Sequence, residues 1–343
     1  MRHPWANLAL LGLVALQVGT GLASLLAPPA GVRVAIWVHA VGAYAILVVL
    51  FSKAAVVWDA VRRRPGLGAT RAALAAMMLL LAAVLATGLA WIVAGRYALL
   101  GISGINLHAY LALVLAALVG WHALDRRWVA RAPRAADRAA LLRMAAVAVA
   151  GAAVWQAERT AQALLGTPGS RRRYTGSYEA GSFGGRFPVT SWLNDDAPAI
   201  DGERWRLIVE GAVDRPAALS LADLRRLGPE SQDATLDCTG GWYTRQTWTG
   251  VRVARLLALA GVREGAGSVE VHSATGFRRR FDLDEAAGLL LATAVAGRPL
   301  SPGHGAPARL VVPGRRGYAW VKWVTRIEVL RSSHLLQPPL PLS

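Results

Sequence analysis

Three groups of residues in this chain have the types and spacing to do chemistry. The first is a lone thiol. Cys238 is the single cysteine in 343 residues, so there is no internal disulfide and no multi-cysteine zinc or iron–sulfur site. Such a thiol is either a small buried hydrophobe, a nucleophile or one soft ligand to a metal. It ends the apolar run Ala234–Cys238 and is followed by Thr239, Gly240, Gly241 and Trp242, which predicts a turn at a strand end. Trp248-Thr249-Gly250 then leads toward a helix expected from about Val251. Glycines beside a thiol let backbone approach a bulky ligand. Trp242, Tyr243 and Arg245, just after the cysteine, are the candidates to line a substrate pocket.

The second group lies near the C-terminus. His304, Arg309, Arg315, Arg316, Gly317 and Lys322 occur within nineteen positions, in a stretch rich in glycine and proline. Arginine forks grip phosphate in pairs of hydrogen bonds, and glycine loops add backbone amides. The cluster reads as an anion pocket or as a solvated basic face.

The third group is histidine in apolar surroundings. His3, His39, His108 and His122 sit in or beside long apolar runs, where ionisable residues are expensive and functional by default. His108 and His122 are fourteen positions apart. On a helix that is nearly four turns, so both share a face about 21 Å apart along the axis. His39 and His108 lie at matched depth near one membrane surface, and His3 and His122 near the other. Two imidazoles on one haem iron leave no open coordination position, which favours electron transfer.

The elements that must carry these groups follow from the apolar pattern. Hydrophobic residues make up 54% of the chain and charged ones 17%, with a mean hydropathy of +0.36. This excludes an ordinary cytosolic enzyme and a disordered chain. Five apolar segments are expected to span a membrane: Trp5–Ala27, Val34–Trp58, Ala72–Ala94, Ile105–Ala123 and Ala139–Ala157, the last interrupted by Arg143. The first is too long, and followed too closely by others, to be a cleavable signal. Thr20-Gly21-Leu22-Ala23 in the first span recurs as Thr87-Gly88-Leu89-Ala90 in the third, and a histidine near the start of the second recurs in the fourth. This suggests two related helical hairpins forming a four-helix bundle, although small residues also recur in membrane helices for packing.

The net charge of +17 is explained by topology rather than by nucleic acid. Arginines cluster in the second-to-third connection (Arg62, Arg63, Arg64, Arg71) and the fourth-to-fifth (Arg126, Arg127, Arg131, Arg134, Arg138). The other two connections hold only Arg33 and Arg96. The positive-inside rule then puts the N-terminus in the cytoplasm and everything after the fifth span outside. A Gly-, Ser- and Arg-rich linker follows, and then the pattern of an α+β domain. Strands are expected at Arg206–Val213, Ser268–Ser273, Arg309–Val312 and Arg326–Leu330, and helices at Ser220–Leu227, Val251–Ala260 and Asp284–Ala296. The expected division is 1–130 for the bundle, 131–166 for the fifth helix, 167–184 for the linker and 185–343 for the α+β domain.

Two resemblances emerge from these residues. Over about residues 1–160, the order and spacing of His3, His39, His108 and His122 resemble the dihaem cytochrome b membrane subunits of respiratory formate dehydrogenases and nickel–iron hydrogenases. That likeness implies two b haems, an outer one on His39 and His108 and an inner one on His3 and His122. Over about residues 185–335, Cys238 and the later segment His304-Gly305-Ala306-Pro307-Ala308-Arg309 through Gly317, with Val321-Lys322-Trp323, resemble the sulfite-oxidase family of molybdopterin enzymes. Phe187–Trp192 is similar to that family's opening segment. The likeness implies one molybdenum held by a pterin dithiolene and Cys238. It also implies that Trp192, Thr239, His304, Arg309, Arg315, Arg316, Gly317 and Lys322 surround the pterin. The residues after Cys238 differ from those of animal and plant sulfite oxidases, and the dimerisation domain of those enzymes is expected to be missing after Leu330, so the shorter bacterial branch is the better match.

The combined expectation is multi-domain: an all-α transmembrane haem bundle with a fifth span, then a sulfite-oxidase-like domain. Its function would be to pass electrons between the quinone pool and an S- or N-oxide at a bacterial inner membrane, with Cys238, Tyr243 and Arg245 at the catalytic centre. Sulfite oxidation feeding quinone is one alternative. An electron-transfer cytochrome with a non-catalytic molybdopterin-like docking domain is another.

Overall fold

A computed structural model describes residues 4–26, 29–62, 69–125, 138–191 and 196–338. His3, Trp192, Arg63, Arg64 and the basic cluster from Arg126 to Arg134 lie outside the described residues. The chain divides into two compact units, Met1–Tyr178 and Glu179–Ser343.

The first unit is built from helices α1 (Pro4–Leu26), α2 (Pro29–Arg62), α3 (Ala69–Ala94), α4 (Gly104–Asp125) and α5 (Arg138–Leu165). All five are long and apolar enough to cross a membrane. Their sequences are dominated by Ala, Leu and Val with few charges inside, and proline opens α1 and α2, where a missing N–H costs nothing. Helix α3 stops at Gly95, whose φ of +84° no helix accepts. A two-residue hairpin, β1 (Ala98–Leu99) with β2 (Ile102–Ser103), then turns the chain into α4. α1 packs on α2, α3 on α4, and α2 also on α5. The contact of α5 with α2 depends on Gly151, where a Cβ would lie 2.8 Å from the Val41 carbonyl oxygen. Small residues of this kind let membrane helices approach backbone to backbone. Arg143 does not break α5; its guanidinium lies over the Trp5 ring, 5.8 Å from the centroid. Residues 168–178 pack within this unit: Trp91 Nε1 donates to the Gly176 carbonyl at 3.0 Å, and the Tyr178 ring lies against Trp91.

The second unit combines two sheets with three short helices. A short strand, β3 (Tyr178–Glu179), straddles the division. One sheet pairs β6 (Glu230–Asp237) with β7 (Trp242–Arg252), β7 with β10 (Leu290–Val295), and β10 with β11 (Arg298–Pro299) and β12 (Arg309–Val311), all antiparallel. The other runs β5 (Ala217–Leu219), β4 (Leu207–Gly211), β13 (Val324–Leu330), β8 (Ser268–Ser273), β9 (Arg278–Asp282), and is antiparallel except for β4 against β13. Helices α6 (Leu221–Arg226), α7 (Val253–Ala260) and α8 (Leu283–Ala287) complete the unit. Ser220 caps α6 in a reciprocal box with Asp223. The core centres on Trp248, Leu256, Leu290, Leu291, Leu310 and Ile327, all fully buried. Each such side chain contributes about 1.5–3 kcal/mol of transfer free energy.

One sequence-based expectation is corrected. The helix expected over Asp284–Ala296 is a single short helix, α8, followed by the strand β10. Leu289–Ala292 is apolar on every position because β10 is central and buried on both faces, a pattern that periodicity alone cannot separate from a buried helix. The helix expected from about Val251, after the Cys238 turn, is α7, which starts at Val253. An eleven-residue strand, β7, intervenes before α7. The strands expected at Ser268–Ser273 and Arg309–Val312 and the helix at Ser220–Leu227 coincide with β8, β12 and α6 to within a residue at each end.

Candidate functional site

The second unit carries an open cleft built around the turn between β6 and β7. Strand β6 ends at Asp237, and Cys238 opens the turn. Its N–H donates to the Trp242 carbonyl at 2.8 Å, and the Gly241 N–H donates to the Cys238 carbonyl at 3.2 Å. Gly241 has φ of +85°, which a side chain resists. The thiol is buried, and the Gly240 N–H points at its sulfur from 3.3 Å. Burial pushes the Cys238 thiol above its ordinary pKa. The Gly240 amide, the Thr190 hydroxyl and the Arg316 charge act against that rise.

The opposite wall comes from the segment between β10 and β13. Arg309 starts β12 with its side chain turned inward, fully desolvated, and burial lowers its pKa to about 10. Its guanidinium lies over the rings of Trp248 and Trp320, and Nη1 donates to the His304 carbonyl at 3.0 Å. Nε is buried with no hydrogen-bond partner. His304 is stacked on Phe187 with centroids 3.9 Å apart, and Nε2 donates to the Phe187 carbonyl at 3.0 Å. Burial holds its pKa below the usual value, with Arg309 and Lys322 adding to the effect. Lys322 Nζ reaches Ser191 Oγ and the Gly303 carbonyl, both at 3.1 Å. Gly305, at φ of +103°, permits the close approach, since a Cβ there would sit 3.1 Å from both Arg309 Cβ and Lys322 Cβ. Gly317 does the same beside the thiol: its Cβ would lie 3.2 Å from Cys238 Cα.

Cys238, Thr239, Trp242, His304, Arg309, Gly317 and Lys322 therefore line one cleft. Arg316 lies behind it. Its Nη1 is 3.3 Å from Asp237 Oδ1, and Nη2 donates to the Cys238 carbonyl at 3.3 Å. Arg315 turns away into a paired contact with Glu285 at 2.8 and 2.9 Å. Tyr243 and Arg245 are not among the cleft residues. Side chains alternate along β7, and Arg245 is exposed, over the Phe183 ring and 4.0 Å from Asp233. Trp192 lies outside the described residues. Sequence reasoning missed Phe277, Ser273 and Tyr318, which also line the cleft. Ser273 ends β8 and Phe277 precedes β9, so nothing local in their sequence marks them, whereas Tyr318 directly follows Gly317 in a short helical turn.

The donor set fits a molybdenum pterin group. A soft sulfur is held at the cleft, glycines remove side chains where a broad ligand would lie, and buried guanidinium N–H groups on Arg309 and Arg316 lack partners.

Residues 194–335 match the oxidoreductase molybdopterin binding domain family. Over 173 residues the chain is 31% identical to the uncharacterized oxidoreductase YuiH of Bacillus subtilis, covering 47% of this chain and 87% of that protein. The chain belongs to this family. It is a molybdopterin oxidoreductase, related to the sulfite oxidases and nitrate reductases. Mitochondrial sulfite oxidase of Rattus norvegicus is 32% identical over 164 residues, covering 38% of this chain and 30% of that protein. The NADPH nitrate reductase of Mycosarcoma maydis is 32% identical over 181 residues, covering 39% of this chain and 18% of that protein. These two likenesses therefore span less than a third of either relative.

The first unit holds the histidines. His39 on α2 and His108 on α4 face each other with ring centroids 6.1 Å apart and planes at 72°. His122 lies in the last turn of α4. His3 lies outside the described residues, so its approach to His122 is not seen.

Proposed function

We propose that this chain is a membrane-bound molybdenum oxidoreductase that moves electrons between the quinone pool and an oxide substrate through b haems. The observation that carries the reading is the pair His39 and His108. Two imidazoles binding one metal from opposite sides, through bonds of about 2 Å, have ring centroids about 6 Å apart. The observed 6.1 Å supports a haem between them. A second haem on His3 and His122 extends the same reading toward the other membrane surface. The charge asymmetry of the connections supports a bacterial inner membrane with the molybdopterin domain on the extracytoplasmic side.

When bound, molybdenum supplies two-electron oxygen-atom transfer, and haem supplies single-electron transfer. The chain's own residues do the rest. Cys238 offers the protein sulfur. Arg309 and Lys322 would provide the positive wall against the pterin's phosphate, and Thr239 and Gly317 line the cleft beside the thiol, where Gly317 leaves room that a side chain would fill. Burial disfavours the charged form of His304 and holds its pKa below the usual value, while the Phe187 carbonyl, which accepts from Nε2–H at 3.0 Å, acts against that fall and fixes the ring. Trp242, held by Thr190 at 3.1 Å, shapes the opening beside the thiol. We favour reduction of an S- or N-oxide with quinol as donor. The likeness to a sulfite oxidase supports a second reading, oxidation of a small sulfur substrate with electrons returned to quinone.

Metal and pterin analysis of the purified full chain, together with its reduced-minus-oxidised haem spectrum, tests the proposal. Cys238→Ser is expected to lose molybdenum while keeping haem, and candidate oxides are expected to reoxidise the reduced haem of the wild type. Wild-type protein without haem, or haem that no oxide or sulfite turns over, would refute it.

A further inference from the structure

The two histidines that face each other are held by the same device, built twice. On α1, Thr20 Oγ1 donates to the Leu16 carbonyl at 2.7 Å, one turn back, and lies 3.2 Å from the Gln17 carbonyl. Its hydrogen is committed to its own helix, so toward His39 Nδ1, 3.0 Å away, the hydroxyl can only accept. The Gln17 carbonyl is a second acceptor for the same ring. On α3, Thr87 Oγ1 is bonded to the Ala83 and Val84 carbonyls at 2.8 and 2.9 Å and lies 3.4 Å from His108 Nδ1. The Val84 carbonyl accepts from the same nitrogen at 2.9 Å. In both places the acceptors are a threonine and the carbonyl three residues before it. In both places the next residue is glycine. A Cβ at Gly21 would lie 3.7 Å from His39 Cε1, and one at Gly88 would lie 3.1 Å from His108 Cε1.

Every acceptor in this arrangement forces the hydrogen of each ring onto Nδ1. Each Nε2 then carries the lone pair that a metal needs, and the ring cannot turn without losing its bonds. A packing role for small residues would explain the glycines but not two threonines aimed at two imidazole nitrogens.

We propose that Thr20 and Thr87 are matched positioning residues for a bis-histidine haem, each fixing the tautomer and orientation of one axial ligand. This rests on the haem reading above and deepens it. A hydrogen bond accepted from Nδ1–H makes the imidazole a stronger electron donor, which favours ferric over ferrous iron. Removing it should therefore raise the haem midpoint potential and weaken haem binding. Loss of an outer partner typically costs 10- to 100-fold in metal affinity, and because a backbone carbonyl still accepts from each ring the loss here is expected at about 10-fold or less. Thr20 stands closer to its ring than Thr87, at 3.0 against 3.4 Å, so Thr20→Val should shift both quantities more than Thr87→Val.

The test uses the full chain in detergent. Thr20→Val, Thr87→Val and the double variant are compared with Thr20→Ser and Thr87→Ser, which keep the hydroxyl. Haem content, redox titration of the haem bands and the low-spin ferric electron paramagnetic resonance signal are read. The expected result is a raised potential and an altered signal in the valine variants, near wild-type values in the serine variants, and an additive double. If a valine variant does not accumulate, Thr20→Ala and Thr87→Ala, which remove the hydroxyl without adding bulk, are measured in its place. Wild-type protein without haem would remove the underlying reading and this inference with it. Wild-type protein with haem whose potential and signal are unmoved in the valine or alanine variants would overturn this inference alone.

Discussion

Arg316 and Asp237 form an ion pair beside the cleft, and removing one partner should be far more damaging than removing both. Their side chains are 10% and 7% exposed, and Nη1 lies 3.3 Å from Oδ1. Arg316→Met would leave the Asp237 carboxylate buried without that counter-charge. Breaking a buried pair in this way costs about 3–5 kcal/mol, whereas replacing both charges is often close to neutral. For a domain of this size each kcal/mol moves the midpoint by about 2–4 °C, so the single variant should unfold roughly 6–20 °C lower. The contact lacks hydrogen-bond geometry at Nη1, which puts the expected loss toward the lower end. Asp237→Asn combined with Arg316→Met should recover most of it. The assay is thermal unfolding of the full chain in detergent, followed by limited proteolysis and mass spectrometry of peptides within residues 196–338. A single-variant shift under about 2 °C, or a double variant as unstable as the sum of the singles, would refute the argument.

Further outcomes follow from the same geometry. Gly88→Ala brings a Cβ within 3.1 Å of the His108 ring, whereas Gly21→Ala stays at 3.7 Å from His39. On the proposed haem reading, the first should weaken haem binding about fivefold, for an overpacking cost of about 1 kcal/mol, and the second should titrate like wild type. The His304 pKa is depressed by burial, so the unfolded chain binds a proton that the folded chain refuses. Stability from this group is complete above about pH 6.5 and is lost as pH falls from there through the lower folded value. The apo protein should therefore lose unfolding midpoint between pH 7.5 and 5.5, and His304→Gln should lose less. An equal loss in both would show that His304 does not set the slope.

The apolar spans were legible in the sequence because a bilayer imposes a length that few other structures need. Apolar runs of about twenty residues, with arginines concentrated in alternate connections, leave little freedom of interpretation. The thiol's place at a strand end was equally legible, since Gly240 and Gly241 punctuate the chain whatever packs around them. Other features were decided by contacts between distant segments. Tyr243 and Arg245 stand next to the cysteine in sequence, but the pleat of β7 sends odd positions away from the cleft and brings Trp242 into it. Leu289–Ala292 reads as helix until β7 and β12 cover both its sides. Arg315 and Arg316 are adjacent, yet Glu285 takes one and Asp237 the other. The repeated Thr-Gly pair was visible as a repeat, but its partners were not. A hydroxyl's role depends on which nitrogen lies within 3 Å or so, and only the packing of α1 on α2 and of α3 on α4 puts His39 and His108 there.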